Sequence, residues 1–266
     1  MLNQFKTTPM TTEEIQEKAP AVLSQGTDSR VSKQFTHIPT TTLISDMGKL
    51  GWYVADVGQQ KSGIASNKEF GKHMVVFRNN DIKMTDDSGD TVYPQILITN
   101  AHNGTAAFQF NAGLFRLVCS NGLVVSTEDF GSLRIKHRGY SFEELQTTVM
   151  KMVEELPATV EVLNKFKAVE LSEEQKIEFA LEALGVRFDG EQAVVEPKIL
   201  LEPKREADKG NNLWAVYNVV QENIIQGGFA YKTPKGRNKT AKKIKAFKRD
   251  LQVNKELFAL AEAFAQ

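Results

Sequence analysis

The stretch "VYPQILITNAHNG", residues 92–104, has the features of a buried strand that ends in a turn. β-Branched and other apolar residues dominate it up to Asn100, and a polar Asn103-Gly104 pair follows. Runs of this kind are typical of strands, and an Asn-Gly pair is a strong signal for a two-residue hairpin. We therefore predict a strand over 92–100 and a tight turn at 103–104.

Further strands are predicted on both sides of this stretch. "WYVADVGQQK", "HMVVFRN" and "GSLRIKHRG" (52–61, 73–79 and 131–139) alternate in polarity or are rich in β-branched residues. A helix is predicted over about Thr40–Lys49, capped by Thr40 or Thr41, and the pattern turns helical again from Tyr140. The predicted fold class is α+β: an antiparallel β-sheet core with helices packed on one face and a helical C-terminal region.

The apolar run "FRLVCSNGLVVS", residues 115–126, fits two structures. In one, Asn111 caps a short helix that Gly122 ends in the left-handed region; in the other, the run is a strand. We favour the helix. The run holds the only cysteine, Cys119. No basic partner or second metal-ligating residue accompanies it, so we interpret Cys119 as a buried core residue.

Helix signals organise the second half of the chain. Ser141 and Glu144 form a capping-box pattern, and that helix continues past Pro157, where we predict a kink. Ser172 opens another helix, which we expect Gly185 to close. Four regions follow: an N-terminal arm over 1–30, with an amphipathic helix from about residue 10, an α+β core over 31–185, an irregular connector over 186–211, and a helical C-terminal region over 212–266.

The composition is that of an ordinary globular protein. The 266 residues are 41% hydrophobic and 25% charged, and no apolar run approaches the ~20 residues of a membrane span. The N-terminus shows no secretory signal and a single cysteine excludes an internal disulfide, so we expect a cytoplasmic protein. No phosphate-binding glycine motif and no zinc-ligand spacing is present, so we expect no cofactor and no metal.

Positive charge is concentrated near the C-terminus. Of the 33 Lys and Arg residues, nine lie within residues 231–249, which contain no acid. "KTAKKIKAFKRD" reads as a basic amphipathic helix, and "LRIKHR" as a strand with three cations on one face. Solvated faces are the alternative for both. The predicted nucleic-acid contacts are the following: Arg134, Lys136 and Arg138 on the strand, Lys239, Lys242, Lys243, Lys245, Lys248 and Arg249 on the helix, and Arg116.

The segment "NAHNG", residues 100–104, also has two interpretations. It is a hairpin turn with a polar tip, or His102 and Asn103 hold a ligand at the end of the sheet. Arg116 is either a salt-bridged residue or an anion contact.

Three blocks resemble a known family: "FTHIPTTTLISDMGKLGW", "VYPQILITNAHNGTAAFQFNAGLFRLVCSNGLVV" and "LWAVYNVVQENI". Their order and spacing are similar to the phage/plasmid-like family catalogued as domain of unknown function 932, over roughly residues 30 to 260. Members usually carry Ser-His-Asp-Gly where this chain has Ala101-His102-Asn103-Gly104, so the acid of the family pattern is absent at Asn103. The sheet-then-helix pattern with a basic strand is also similar to phage single-strand annealing proteins, which hold single-stranded DNA in a basic groove.

These observations lead to a functional hypothesis. We expect a phage or plasmid protein that binds single-stranded DNA or RNA, as a homo-oligomer and without a membrane partner, in replication, recombination or strand annealing. Trp52, Tyr53 or Tyr231 would stack on bases. One alternative is a host-interaction protein that inhibits a defence or polymerase complex without DNA binding. The other is a nucleotide-acting enzyme centred on His102 and Arg116.

Overall fold

The computed structural model describes residues 8–60, 63–64, 66–85, 91–106, 108–116, 122–123, 141–188 and 193–266. The chain divides into two compact units, and the division falls between Leu156 and Pro157, inside one helix. Each unit is described by itself below. The four regions predicted from the sequence stay predictions. Within the described ranges, no helix combines the length and hydrophobicity that a membrane crossing requires.

The first unit holds a six-stranded antiparallel sheet, which confirms the predicted α+β class. The strands are β1 (Tyr53–Gln59), β2 (His73–Arg78), β3 (Met84–Thr85), β4 (Thr91–Asn100), β5 (Gln109–Arg116) and β6 (Gly122–Leu123). Their order in the sheet is β1-β2-β4-β5-β6, with β3 also paired to β4. β4 is buried at every position from Pro94 to Asn100, as expected for a central strand.

Helices of the first unit contribute to the same core as one face of this sheet. The helices are α1 (Thr12–Lys18), a 3-10 turn (Pro20–Leu23), α2 (Thr40–Lys49), α3 (Ser66–Phe70) and the first part of α4 (Phe142–Ala168). Leu43 of α2 and Leu145 of α4 join Ile96 and Ile98 of β4 in one buried cluster. The α2 prediction is confirmed, but its cap is wrong: Pro39 occupies the N-cap and no side chain caps the helix.

The run from Gln109 to Arg116 is a strand, so the favoured short helix is wrong there. β5 pairs with β4 over eight positions, from Thr99 opposite Gln109 to Val92 opposite Arg116. Gly122 lies in β6 and does not end a helix. A short apolar run by itself fits both a helix and a strand. The pairing of β5 with the buried strand β4 decides for the strand. Cys119 lies outside the described residues.

The second unit is mainly helical. It contains α5 (Glu173–Arg187), α6 (Leu213–Gln226) and α7 (Phe247–Phe264), together with the C-terminal part of α4. Ser172 forms the predicted capping box with Gln175, but α5 passes through Gly185 and ends at Arg187. The largest fully buried side chains of the second unit are Phe166, Phe179, Tyr217 and Phe258.

The segment predicted to be an irregular connector contains two short 3-10 helices, Pro197–Leu201 and Glu206–Asp208. α4 is continuous through Pro157, and the kink predicted there stays a prediction. Ser141 caps α4 as predicted, because its hydroxyl accepts from the Glu144 amide at 3.1 Å. After α6, a two-stranded hairpin is formed by β7 (Ala230–Lys232) and β8 (Asn238–Thr240).

Candidate functional site

Three of the chain's four histidines meet at one end of the sheet in the first unit. His73 is the first residue of β2, and the antiparallel register places it opposite Asn100, the last residue of β4. His102 follows two positions later, and Thr40 is the first residue of α2. We call His37, Thr40, His73, Asn100 and His102 the histidine network. The fourth histidine, at position 137, lies outside the described residues.

A continuous series of polar contacts runs through this network. His37 Nε2 lies 3.1 Å from His102 Nδ1. His102 Nε2 lies 3.5 Å from Thr40 Oγ1, at the long limit of a hydrogen bond. The Thr40 hydroxyl lies 2.8 Å from His73 Nε2, and His73 Nδ1 lies 2.9 Å from the Gly71 carbonyl oxygen. The series therefore begins at one side chain and ends at a backbone acceptor.

That backbone acceptor assigns the ring protons. A carbonyl oxygen only accepts, so His73 Nδ1 carries a hydrogen and, in a neutral ring, Nε2 accepts from Thr40. The hydroxyl's one proton is then used, so His102 Nε2 donates to Thr40 Oγ1. A neutral His102 has a bare Nδ1, which accepts from His37 Nε2. Each contact thus holds one proton, and all of them point from His37 towards Gly71.

Asn100 fixes the middle of the series. Its side-chain NH2 donates to Thr40 Oγ1 at 3.0 Å and to the Ile38 carbonyl at 3.1 Å, and its oxygen accepts from the Ala101 amide at 2.8 Å. These backbone partners determine which end of the amide is nitrogen. The Thr40 hydroxyl is hydrogen-bonded to Asn100, His73 and His102, and it does not cap α2.

The network is deeply buried at all but one end. Asn100 and His102 are 0% exposed, Thr40 is 1% and His73 is 2%, whereas His37 is half-buried. Burial lowers the pKa of His73 to about 4, and the hydrogen bond to the Gly71 carbonyl opposes this only in part. His73 is therefore neutral at pH 7, as the proton assignment requires.

The "NAHNG" loop differs from the predicted hairpin turn, and ligand contacts by His102 and Asn103 stay predictions. β4 ends at Asn100 and β5 begins at Gln109, so the connection is longer than the predicted two-residue turn. Gly104 has the positive φ of 71° that an Asn-Gly turn implies. His102 is not at an exposed tip, because its amide donates to the Phe70 carbonyl at 3.0 Å and its ring is buried. The Asn103 side-chain NH2 donates to Asn67 Oδ1 at 2.9 Å.

Sequence reasoning singled out His102 and missed His37 and His73. A signal was present, since His37 and His102 fall in two of the three family-like blocks. The enzyme alternative also needs Arg116 near His102. The backbone of Arg116 lies in β5 opposite Val92, and its side chain lies outside the described residues. The described residues contain no group of three or more His, Cys, Asp or Glu side chains placed to hold a metal ion.

The second candidate site is the β7–β8 hairpin and the segment after it, in the second unit. Lys232 is paired with Asn238, and Tyr231 with Lys239. We call residues 230–245 the basic hairpin. Its exposed cations are Lys232, Lys235, Arg237, Lys239, Lys242 and Lys245. In the part of the chain that the structure describes, none of these six forms an ion pair.

The predicted basic helix is wrong for residues 239 to 246, since α7 begins only at Phe247. Tertiary contacts override the helical pattern there. The Ala241 amide donates to the Phe229 carbonyl and the Ile244 amide to the Ile225 carbonyl, both at 2.9 Å. Ala241 and Ile244, which would lie on the apolar face of the predicted helix, are indeed buried, but on a non-helical segment.

Arg249 and Lys243 differ from the exposed cations. Arg249 donates to the carbonyls of Val186 and Arg187, at 2.6 and 3.2 Å, and so binds the C-terminal end of α5. Lys243 is half-buried and lies close enough to Asp250 to oppose in part the rise in the pKa of Asp250 that burial causes. Nucleic-acid contacts by these two residues stay predictions, as do those of Lys248, whose side chain lies outside the described residues. Arg134, Lys136 and Arg138 also lie outside them.

The three aromatic residues expected to stack on bases have different environments. Trp52 is 3% exposed and belongs to the core. Tyr53 is half-buried, and its hydroxyl donates to Asn80 Oδ1 at 2.7 Å. Tyr231 is half-buried on the hairpin, and its ring centroid lies 4.7 Å from that of Phe188.

Comparison with known proteins gives one family for most of the chain. The family described as "Domain of unknown function (DUF932)" matches residues 28–257. UPF0380 protein YafZ of Escherichia coli K12 is 29% identical over 255 residues, which cover 96% of this chain and 91% of that protein. UPF0380 protein YfjQ of the same strain is 29% identical over 254 residues, with the same coverage. No solved structure gives a significant match.

Proposed function

Because the chain belongs to the family described as domain of unknown function (DUF932), whose name carries no activity, we propose a function from the chain's own charges. We propose that it binds single-stranded nucleic acid through the basic hairpin. The finer parts of the proposal are action in the host-cell cytoplasm on a phage or plasmid replicon, homo-oligomerisation and strand annealing.

The observation that carries the proposal is the exposure of the hairpin cations. Six Lys and Arg side chains project into solvent within residues 232–245, and no acid lies between them. A solvated surface normally mixes both signs, whereas a phosphate backbone is bound by cations that release its condensed counterions. The hairpin presents its cations on short strands and a turn.

An aromatic ring beside the cations favours a single strand. Tyr231 lies opposite Lys239 in the hairpin register and packs on Phe188. Unpaired bases stack on aromatic rings while neighbouring cations hold phosphates, and this mode tolerates any sequence. In the proposal, Arg134, Lys136, Arg138 and Arg116 would add phosphate contacts of their own.

Oligonucleotide binding across a salt series tests the proposal. If four to six cations engage phosphates, log affinity should fall against log salt with a slope of about −3 to −4. The triple variant Lys235→Gln, Arg237→Gln and Lys239→Gln should flatten that slope by about two units and weaken all sequences alike. Fluorescence anisotropy with a labelled single strand measures both quantities.

A matched control removes the same charge elsewhere in the second unit. Lys165, Lys198 and Lys204 are exposed and lie outside the hairpin, so their joint replacement by Gln should leave the slope unchanged. Equal flattening by both triples would show that net charge, and not the hairpin, governs binding. A folded wild-type protein that binds no oligonucleotide at low salt would overturn the proposal.

Two further measurements address the finer parts. The size of the protein with and without a single strand reports oligomerisation, and the rate at which two complementary strands pair in its presence reports annealing. If the protein is a monomer that binds single strands but does not speed their pairing, the binding proposal stands, and the proposals of oligomerisation and annealing are wrong.

A further inference from the structure

The histidine network holds one segment of the chain against the end of the sheet. We call residues 28–40 the strap. Its first residue, Asp28, donates its amide to the His102 carbonyl at 3.0 Å. Its later part is held through the side chains of the network, namely His37 to His102, the Ile38 carbonyl to Asn100, and Thr40 to His73.

We propose that the histidine network is a pH-operated clasp, which holds the strap while its two buried rings are neutral and releases it when one of them takes up a proton. The strap has no regular secondary structure before Thr40. Its attachment therefore depends on side-chain contacts more than that of a strand or helix would.

The proton count explains why the closed network resists a further proton. Thr40 Oγ1 donates to His73 and accepts from Asn100 and from His102. A proton added at His73 Nε2 would turn that ring into a donor towards Thr40. The hydroxyl would then face three donors with two lone pairs, so a contact must break unless His102 also changes its tautomer.

The half-buried end behaves differently. His37 already donates from Nε2 to His102, so a proton gained at its other ring nitrogen leaves this contact unchanged. The clasp therefore responds to its buried rings and not to His37.

Among the described residues, the charged groups near the network do not offset a positive charge on His73. The Asp28 carboxylate is held by Arg30, whose Nε donates to it at 2.8 Å. Lys68 and Glu69 of α3 are exposed, Lys33 of the strap is exposed, and the first turn of α2 contains no acidic residue. Lys72 precedes His73 in sequence and carries the same sign as a protonated ring. Burial is the cause of the lowered pKa of His73, and the hydrogen bond to the Gly71 carbonyl opposes it.

The direction of the effect follows from that pKa. An open strap gives His73 an ordinary pKa of 6.5, and the closed clasp lowers it to about 4. The open form therefore binds more protons between these values, and closure weakens as the pH falls from 6.5 towards 4. Between about pH 7.5 and about pH 5, the ratio of open to closed strap should rise about 30-fold through His73 alone.

Hydrogen exchange at the two pH values tests the clasp on the full chain. After correction for the intrinsic pH dependence of exchange, peptides from the strap should lose protection by about 30-fold at the lower pH. Peptides from the middle of β4 and from α6 should keep their protection at the lower pH. Unchanged protection of the strap would overturn the proposal, and so would equal loss in β4, because the network would then be an ordinary part of the core.

Two matched variants separate the buried ring from the half-buried one. His73→Gln keeps an oxygen that can accept from Thr40 and does not titrate, so the pH response should disappear. His37→Gln keeps a donor towards His102, so the response should persist. The opposite pattern would overturn the assignment to His73.

Nitrogen-15 NMR of the wild-type histidines tests the clasp even if His73→Gln fails to fold, because it reports which ring nitrogens carry protons. His73 should carry its proton on Nδ1 and stay neutral in the closed protein. A proton found on Nε2 of His73, or a charged His73 ring at neutral pH, would overturn the clasp.

Discussion

His102 Nδ1 lies 3.1 Å from His37 Nε2, although 65 residues separate the two histidines in sequence. The contact joins the loop after β4 to the segment before α2, and Thr40 extends it to His73. The two tryptophans, Trp52 and Trp214, lie one in each unit. Replacing either one by Phe therefore lets fluorescence follow the other unit alone.

Thr40→Val should destabilise the first unit by about 1 to 3 kcal/mol, because it leaves buried donors and acceptors of the network without their hydroxyl partner. Thr42→Val changes an exposed threonine of the same helix and should alter stability by less than about 0.5 kcal/mol. Urea unfolding followed by Trp52 fluorescence, in a Trp214→Phe background, measures both. Equal effects of the two variants would contradict a role for the Thr40 hydroxyl.

Asp250 should give the second unit the opposite pH dependence to that of the strap. Burial raises the pKa of Asp250 to about 6 from 3.8, against the Asn254 hydrogen bond and Lys243. Because the folded-state pKa is the higher one, this group favours folding fully below 3.8, and the benefit is lost as the pH rises through about 6. The loss amounts to about 3 kcal/mol.

Asp250→Asn isolates this effect, since an amide oxygen can still accept from the Asn254 side chain, as Asp250 Oδ1 does at 2.9 Å. The variant should gain stability at neutral pH and lose the pH dependence between 4 and 6. Urea unfolding followed by Trp214 fluorescence, in a Trp52→Phe background, measures the change. A variant that is less stable than wild type at neutral pH would show that the charged Asp250 carboxylate stabilises the fold, contrary to the prediction.

Gly227→Ala should detach the segment that leads into the basic hairpin. Gly227 has a φ of 66°, and a Cβ there would lie 2.5 Å from the Ala241 carbonyl oxygen. The backbone must move, so a cost of several kcal/mol is expected, above the ~1 kcal/mol of a positive φ alone.

Gly236→Ala is the matched control for that position. Gly236 also has a positive φ, 74°, but no atom lies within 4 Å of an added Cβ. The control should therefore cost only about 1 kcal/mol. Trp214 fluorescence during urea unfolding compares the two, and equal costs would mean that the close approach to Ala241 is relieved elsewhere.

Arg205→Gln should destabilise the second unit by about 3 to 5 kcal/mol, because it leaves two buried carboxylates without their cation. Arg205 Nε donates to Asp208 at 2.7 Å, and the guanidinium also binds Glu222. The Asp208 side chain is 1% exposed and that of Glu222 is 9%.

The nearby exposed pair of Lys209 and Glu206 provides the comparison. Their side chains are 61% and 86% exposed, so Lys209→Gln should change stability by less than about 1 kcal/mol. Thermal unfolding of both variants measures the difference. A cost for Arg205→Gln no larger than that of Lys209→Gln would contradict the buried ion pairs.

Local patterns were sufficient where one element carried its own signals. The helix predicted over about Thr40–Lys49 has the range of α2, and Ser172 precedes the first residue of α5 as predicted. They failed at β5, because only the neighbouring strand shows that this apolar run pairs as a ladder. They failed again at residues 239 to 246, because backbone bonds to Phe229 and Ile225 replace those of a helix.

The histidine network was beyond sequence reasoning for a similar reason. Periodicity and spacing describe neighbours along the chain, whereas His73 and Thr40 are 33 residues apart and His102 and Thr40 are 62 apart. Only the register of β2 on β4 and the position of α2 bring them together. Exposed cations, by contrast, can be read from composition, and the sequence identified the basic segment although it predicted the wrong secondary structure.

The bond from Asn100 to Thr40 also sets an order of events during synthesis of the protein. Thr40 is made 60 residues before Asn100, and at typical translation rates this interval lasts roughly 3 to 12 s. During that time the first turn of α2 has neither a side-chain cap nor its later partners. The N-terminal part of the nascent chain must therefore wait for β4 and the loop after it, so a ribosome pause before residue 100 would prolong the exposure of an unfinished core.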